Sequence, residues 1–329
     1  MSPDFSPANP PEHLAVADLR PLGKTGLRVT PICVGTSPLA GMPRLYGYDV
    51  SQSRAEATIR AVLAGPLNFL DTSNNYGEGR AEQRIGAVLR RRGGLPDGVV
   101  LATKVDADPV TGDFSGERVR RSVAESLRRL GLDRVQLMYL HDPEYHLSFA
   151  QAMAPGGPVA ALVALRDQGV IQHLGIASGP VALMRQFLAT GVFEVALNHN
   201  RYTLVDRSAE PLIRDAHERG IGFVNAAPYG GGMLAKGPET QPRYAYREPP
   251  EPVRQAVYAI RRVCAAYRVP LAAAALQFSL RDPRVASTVV GVSSPARITA
   301  TLDLACREIP PAAWEELAAL VPAPEYWLH

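Results

Sequence analysis

Eight short apolar segments recur along the chain between residues 31 and 292, and each is separated from the next by a helical pattern. Strands that alternate with helices form parallel sheets, and eight such units favour a closed (β/α)8 barrel over an open doubly wound sheet. The sequence therefore predicts an α/β fold of the TIM-barrel type. The eight segments are PICVG, NFLD, VVLATK, VQLMYLH, HLGIA, EVALN, GFVNA and STVVGV.

The whole chain of 329 residues fits one barrel domain. We predict a flexible, Pro-rich tail over residues 1–18 and a single (β/α)8 barrel over residues 19–329. Within LRPLGKTGLRVT, the turn residues Lys24-Thr25-Gly26 predict an N-terminal β-hairpin. Apolar residues at i, i+3, i+4 and i+7 predict helices over SRAEATIRAVLAG, AEQRIGAVLRR, SGERVRRSVAESLRRLG, GPVAALVALRDQG, PVALMRQFLATG, AEPLIRDAHERG, PVRQAVYAIRRVCAAYRV and PARITATLDLA.

Composition narrows the class of protein. A net charge of +3 is too small to indicate a nucleic-acid partner. The N-terminus has no basic region followed by an apolar stretch, and no apolar run reaches the ~18 residues of a membrane span, so we expect a cytoplasmic protein that does not enter a membrane.

Cys33, Cys264 and Cys306 lie far apart without CxxC spacing, which predicts buried free thiols rather than disulfides or zinc ligands.

Three of the predicted strands end on Asp71, Lys104 and His141, and Tyr76 follows in the first of their loops. The carboxyl ends of barrel strands share one rim, where active sites of this fold lie. A phenol beside an ammonium can exchange protons, a carboxylate can neutralise that ammonium, and an imidazole can orient a substrate oxygen. Each residue alone could instead be a structural cap or strand end, but together they indicate a proton-transfer site.

Two other segments of the sequence could indicate a metal site or a nucleotide-binding loop. The segment HDPEYH, residues 141–146, carries possible metal ligands but no fixed helical face, and no further ligand cluster exists, so we predict no metal. The segment GEGRAE, residues 77–82, has Glu where a dinucleotide fingerprint needs its third Gly. Phosphate could instead bind in the loops after the last two strands, PYGGGMLAKG and GVSSPARI, which offer backbone amides, hydroxyls and Arg297.

The chain resembles the aldo-keto reductases from about residue 20 to residue 304. The resemblance is carried, in family order, by LRPLGKTGLRVTPICVG, NFLDTSNNYGEGRAEQRIG, VVLATK, LHDP, LGIAS, NRYTLVDR, APYGGGMLAKG and GVSSPARI. It implies a nicotinamide cofactor, NAD or NADP, bound across the C-terminal rim. It also implies that Asp71, Tyr76, Lys104 and His141 form the catalytic tetrad, and that the cofactor contacts Asp71, Ser178, Asn198, Tyr229, Gly231, Gly291, Ser293 and Arg297.

Several positions depart from the common family pattern. Gly291 stands where many members have a Lys that pairs with the 2′-phosphate of NADP, although Arg297 is retained; this favours NAD. Ala226 replaces a Tyr that stacks on the nicotinamide, and Ser178 replaces an Asn that holds the carboxamide. Thr301 stands where many members have Asn.

Within the family, the resemblance is strongest to a sugar-oxidising branch of L-fucose, D-threo-aldose and L-galactose dehydrogenases. It implies oxidation of the anomeric carbon of a free aldose to a lactone, with Tyr76, His141, Asp142 and His199 at the substrate and Glu144 and Asn200 as further candidates. A pyridoxal 4-dehydrogenase or a general aldehyde and ketone reductase is the alternative, and an accessory subunit of a potassium channel is the non-enzymatic one. We expect a small-molecule sugar or aldehyde partner and a monomer or small homo-oligomer.

Overall fold

A computed structural model describes residues 18–328; the predicted tail, apart from Asp18, lies outside the described residues. The antiparallel hairpin and the eight-stranded parallel barrel are both present, so the predicted fold class is confirmed. The hairpin strands are β1 (Arg20–Pro21) and β2 (Arg28–Val29). The barrel strands are β3 (Ile32–Gly35), β4 (Phe69–Asp71), β5 (Val100–Val105), β6 (Val135–His141), β7 (Ile171–Ser178), β8 (Val195–His199), β9 (Gly222–Ala226) and β10 (Val285–Gly291).

The barrel strands pair in chain order, and β10 closes the ring by pairing with both β9 and β3. Gly291 lies opposite Gly35 at the closing seam, and Gly35 lies opposite Asp71 on the other side. Because every strand runs in the same direction, the carboxyl ends of all eight strands lie on one rim. The residues that end β4, β6, β7 and β8 are therefore neighbours around one opening.

The hairpin covers the opposite, N-terminal end of the barrel. Leu22 and Val29 are buried in the same apolar cluster as the residues inside the barrel. Gly23 has a left-handed φ of 59°, and a Cβ there would lie 2.3 Å from the backbone nitrogen of Gly222. The hairpin can pack this closely because position 23 has no side chain.

Thirteen helices surround the barrel within residues 18–328, and every predicted helix is present. They are α1 (Pro43–Tyr46), α2 (Gln52–Ala64), α3 (Arg80–Arg92), α4 (Gly116–Leu130), α5 (Phe149–Met153), α6 (Pro158–Asp167), α7 (Val181–Ala189), α8 (Glu210–Arg219), α9 (Met233–Lys236), α10 (Glu251–Ala266), α11 (Leu271–Leu280), α12 (Pro295–Ala305) and α13 (Pro311–Ala318). Short 3-10 helices cover Ser37–Ala40, Pro143–Tyr145, Gly230–Gly232 and Pro324–Tyr326.

A main core fills the layer between barrel and helices, and a second cluster joins α10, α11 and α13 beneath the long connection after β9. Cys33 and Cys264 are buried as predicted, but Cys306 is exposed, so the expectation of three buried thiols is wrong for this residue. Cys306 is the C-cap residue of α12 and begins an exposed segment with Arg307 and Glu308.

No single helix among residues 18–328 is long and apolar enough to cross a membrane. Helices α10 and α11 reach the length and apolar composition of a membrane span only when they are counted together, and the pair is bent by 101°.

Candidate active site

Lys104 joins Asp71 and Tyr76 into one hydrogen-bonded group at the C-terminal rim. Its Nζ lies 2.6 Å from Oδ1 of Asp71, 2.6 Å from the carbonyl oxygen of Thr72 and 3.1 Å from the hydroxyl of Tyr76. Lys104 is 1% exposed and Asp71 is 3% exposed. The buried ammonium therefore has an anionic partner, as its desolvation requires.

Two arginines of α4 hold the loop after β4, which carries Tyr76, in place. Arg118 of α4 donates to Oδ1 of Asn74, and Arg129 of the same helix donates to the Asn74 carbonyl. Gly77 then turns the chain with a φ of 60°, and a Cβ there would lie 2.8 Å from the carbonyl oxygen of Ala40. The glycines that resemble an incomplete dinucleotide fingerprint thus make the turn that leads into α3.

The surroundings of Tyr76 shift the pKa of its phenol. Burial raises its pKa well above the ordinary value, and the carboxylate of Asp71 adds to the increase. The hypothesis that Lys104 stabilises a phenolate stays a prediction, and the carboxylate of Asp71 at close range offsets part of the ammonium charge. Since Lys104 donates to the phenol oxygen, the phenol proton remains free to bond to a reacting oxygen.

His141 lies beside Tyr76, with ring centroids 6.1 Å apart and planes at 81°. Its Nδ1 lies 2.6 Å from Oδ1 of Asp106, and the hydroxyl of Ser73 lies 3.3 Å from the same nitrogen. Oδ2 of Asp106 accepts from Ser73 and from the backbone N–H of Asn75 at 2.9 Å. The structure thus brings Asp71, Tyr76, Lys104 and His141 together around one opening, and it adds Asp106.

Asp106 was missed by the sequence analysis. It follows Lys104 by two residues, just beyond the end of β5 at Val105. Side chains alternate along a strand, so positions 104 and 106 face the same side. That spacing was the available signal, but an isolated Asp after a strand is more often a cap or turn residue.

Asp142 lies between two imidazoles at the C-terminal rim. Its carboxylate oxygens lie 3.6 Å from Nε2 of His141 and 3.7 Å from Nε2 of His199. Burial acts to raise the pKa of Asp142, but the two histidines outweigh it and lower the pKa to about 2. Asp142 also adopts a left-handed φ of 43°, an uncommon conformation that Asp tolerates better than most residues. A carboxylate is thus present at the rim at neutral pH.

Ser178 and Asn198 are both expected to contact the cofactor, and in this structure their side chains form hydrogen bonds with other groups of the protein. The hydroxyl of Ser178 donates to Glu144 at 2.8 Å, and the backbone N–H of Gly179 donates to the same carboxylate at 3.1 Å. The amide of Asn198 donates to the carbonyl oxygens of Ser178 and Gly179. Asn198 therefore holds the end of β7, and its own Oδ1 is buried without a hydrogen-bond partner.

The remaining expected cofactor residues lie in the loops after β9 and β10. Arg297 is exposed in the first turn of α12, and Ser294 at the N-cap of that helix makes no side-chain capping bond. Burial raises the pKa of Tyr229 to about 12, although the positive charge of Arg297 acts to lower it. A Cβ on exposed Gly291 would lie 3.0 Å from Cγ of Pro38, and Gly231 has a left-handed φ of 73°. Ser293 is partly exposed in the loop between β10 and α12.

The metal alternative receives no support from the geometry. Within the described range, residues 18–328, no group of three or more His, Cys, Asp or Glu residues is placed to hold a metal ion. His141 and His199 share Asp142 but do not converge with a further ligand.

Comparison with known proteins identifies the family. Residues 31–322 match the profile of the Aldo/keto reductase family, so the chain belongs to this family of oxidoreductases. It is 32% identical to a D-threo-aldose 1-dehydrogenase from Pseudomonas sp, over 91% of this chain and 97% of that protein. It is 30% identical to a pyridoxal 4-dehydrogenase from Microbacterium luteolum, over 93% of this chain and 98% of that protein.

The solved structure of an aldo-keto reductase from Bacillus halodurans in its holo form has the same fold. The two chains superpose with a TM-score of 0.74 at 24% identity, covering 92% of this chain and 96% of the other. This likeness supports the barrel and its strand order.

Proposed function

We propose that the protein oxidises the anomeric carbon of a free aldose such as L-fucose to the lactone, using NAD(P). The hydrogen-bonded group of Asp71, Lys104 and Tyr76 beside His141 carries the proposal, because it places two proton-exchanging side chains on one opening. The identity to an aldose 1-dehydrogenase over nearly the full length of both chains supports the sugar as substrate.

The residues at the rim fit a dinucleotide. The first turn of α12 has no side-chain cap and carries an exposed Arg297, so it offers backbone N–H groups and a cation to a phosphate. Tyr229 adds a partly exposed ring nearby. When bound, the nicotinamide would supply the redox step by accepting a hydride. The protein then has to bind and orient the sugar and to move one proton.

Tyr76 and His141 would hold the reacting oxygen from two sides. The phenol of Tyr76 donates a hydrogen bond to it, because Lys104 already occupies the phenol oxygen. In the reducing direction the same phenol is a general acid for the carbonyl oxygen. In the oxidising direction the reverse transfer applies: the phenolate of Tyr76, stabilised by Lys104, accepts the proton of the substrate hydroxyl as the hydride leaves C1.

Asp142 and His199 would recognise the other hydroxyls of the sugar. Their side chains are 31% and 30% exposed and lie next to the proposed position of the reacting oxygen. A carboxylate can accept hydrogen bonds from two sugar hydroxyls, whereas an aliphatic aldehyde offers none. This polar side of the rim favours an aldose over a simple carbonyl compound.

The first prediction concerns the substrate. We expect L-fucose, L-galactose or D-arabinose to give faster NAD(P)H formation than pyridoxal, and a simple aliphatic aldehyde to be reduced slowly. Initial rates with each compound and both cofactors test this. Turnover of pyridoxal alone would favour the pyridoxal 4-dehydrogenase, which the 30% identity also supports, and aldehyde reduction alone would leave only a general reductase.

The second prediction concerns the cofactor. Gly291 offers no cation to a 2′-phosphate, so we expect activity with NAD, with NADP binding aided by Arg297. Arg297→Ala should weaken NADP about three- to tenfold, because an exposed charge pair contributes modestly, and should leave NAD nearly unchanged. Binding titrations with both cofactors measure this difference. Equal losses would instead place Arg297 on the adenine ring.

A further inference from the structure

Glu144 is bound to the end of β7 at the C-terminal rim. It lies in the 3-10 helix Pro143–Tyr145, just after the end of β6, and it is partly exposed. Its two carboxylate oxygens accept from the hydroxyl of Ser178 at 2.8 Å and from the backbone N–H of Gly179 at 3.1 Å. An ionised carboxylate has about four acceptor sites, so these two bonds leave room for a further donor.

The neighbouring Asn198 carries an acceptor that lacks a donor. Asn198 is 0% exposed, and its Nδ2 lies 2.9 Å from the carbonyl oxygen of Ser178 and 2.8 Å from that of Gly179. These two carbonyl oxygens fix the NH₂ end of the amide, and no group among residues 18–328 donates to Oδ1. Because a buried polar atom without a partner is costly, the acceptors at the ends of β7 and β8 indicate a site for a ligand group that donates.

These acceptors lie one strand beyond His141 around the opening. Strands β5 to β8 follow one another in the barrel, so the order along the rim is Lys104, His141, Ser178 and Asn198. The carboxamide of a nicotinamide is bonded to the ring carbon next to the one that accepts the hydride. A ring that faces a substrate held by Tyr76 and His141 can therefore place its carboxamide against the acceptors on β7 and β8.

We propose that the carboxylate of Glu144 binds the NH₂ group of the nicotinamide carboxamide, in a subsite that Oδ1 of Asn198 completes. The NH₂ group carries two N–H donors, which suits a site that offers acceptors. A hydrogen bond to an ionised acceptor is about twice as strong as one between neutral groups. Because the bond holds the carboxamide in one orientation, it fixes the face of the ring that meets the sugar. The inference rests on the proposed use of NAD(P) at this rim.

Glu144→Gln removes the charge and one acceptor while it keeps both contacts to β7. The backbone N–H of Gly179 can only donate, so the amide oxygen of the glutamine would face it and the NH₂ group would face Ser178. A serine hydroxyl can accept as well as donate, so the contact to Ser178 is retained. The variant therefore changes what the subsite offers to a ligand and leaves its frame in place.

Binding titrations with three dinucleotides that differ only at the carboxamide test the proposal. They are NAD, its 3-acetylpyridine analogue, which has a methyl group in place of NH₂, and its nicotinic acid analogue, which has a carboxylate in place of the amide. We expect wild type to bind the acetylpyridine analogue about tenfold more weakly than NAD, because the bond to Glu144 is lost. The nicotinic acid analogue should bind at least about 30-fold more weakly than NAD, because two carboxylates then face each other.

In Glu144→Gln both differences should shrink. The acetylpyridine analogue should bind within about threefold of NAD, because a neutral amide is the weaker acceptor. The disadvantage of the nicotinic acid analogue should fall by at least about tenfold, because the opposing charge is gone. ADP-ribose, which lacks the nicotinamide ring, should bind wild type and variant within about twofold, and this shows that the fold and the rest of the cofactor site are intact.

Glu194→Gln is the matched control. Glu194 also bonds to one side chain and one backbone N–H, those of His173 and Leu174, but it precedes β8 at the opposite, N-terminal end of the barrel. Its loss of charge is screened over that distance, so it should leave every affinity ratio within about twofold of wild type.

Equal affinities of wild type for the three dinucleotides would overturn the proposal, as would ratios that Glu144→Gln leaves unchanged. A Glu144→Gln variant that keeps the wild-type ratios but raises KM for the aldose would place Glu144 at the sugar instead. If wild type binds NADP but not NAD, the same series is run with the NADP analogues. If wild type binds neither cofactor, the proposed function fails; if it binds one but does not distinguish the analogues, the Glu144 subsite fails alone.

Discussion

Replacing Tyr76 with Phe should lower kcat by about 10²- to 10⁴-fold while the affinity for the cofactor stays close to wild type. The change keeps the ring and its packing but removes the hydroxyl that Lys104 contacts at 3.1 Å. A lost donor at a developing oxyanion, or a lost general acid, has an effect of this size. Steady-state rates and a cofactor titration on the same preparation measure it.

Tyr139→Phe is the matched control for this prediction. Its hydroxyl is buried without a hydrogen-bond partner, so removing it breaks no bond and should leave turnover within about twofold. If Tyr76→Phe kept more than about a tenth of the wild-type turnover, the role assigned to Tyr76 would be wrong.

Lys104→Met should remove activity and also destabilise the fold. The change leaves the carboxylate of Asp71 buried without its cation, and breaking a buried ion pair from one side costs about 3 to 5 kcal/mol. Turnover should fall by at least about 10²-fold, because Tyr76 loses the donor that orients its proton. Chemical denaturation and initial rates measure the two losses separately.

The double variant Asp71→Asn with Lys104→Met separates charge burial from catalysis. Removing both charges should restore most of the lost stability, because no uncompensated ion remains, but should not restore turnover. A single Lys104→Met variant that is as stable as wild type would contradict the ion pair described here.

The barrel and the tetrad could be predicted because both depend on local patterns. Each strand is a short apolar run, and Asp71 and His141 end their strands, so the rim follows from strand direction alone. Helix α11 was missed for the opposite reason: LAAAALQFSL is apolar on all sides and is buried nearly all round, so it lacks the periodicity that indicates a helix.

Charge states and loop partners could not be predicted from the chain. The raised pKa of Tyr76 depends on burial and on Asp71 together, which only the folded rim combines. Asp106 can be recognised as a site residue only in the folded barrel, because β5 then lies beside β6 and its carboxylate contacts His141. Glu144 likewise meets Ser178 across 34 positions of sequence. Such contacts depend on register between strands, which apolar patterns alone do not specify.

The central claim is that a hydride leaves the anomeric carbon of an aldose. L-Fucose carrying deuterium at C1, incubated with the enzyme and NAD(P), tests it by mass spectrometry of the reduced cofactor and NMR of the sugar product. We predict that the reduced cofactor gains the deuterium and that the lactone, or the acid from its hydrolysis, accumulates in equal amount. Reduced cofactor without deuterium, or turnover limited to NADPH-dependent reduction of aldehydes, would contradict the account.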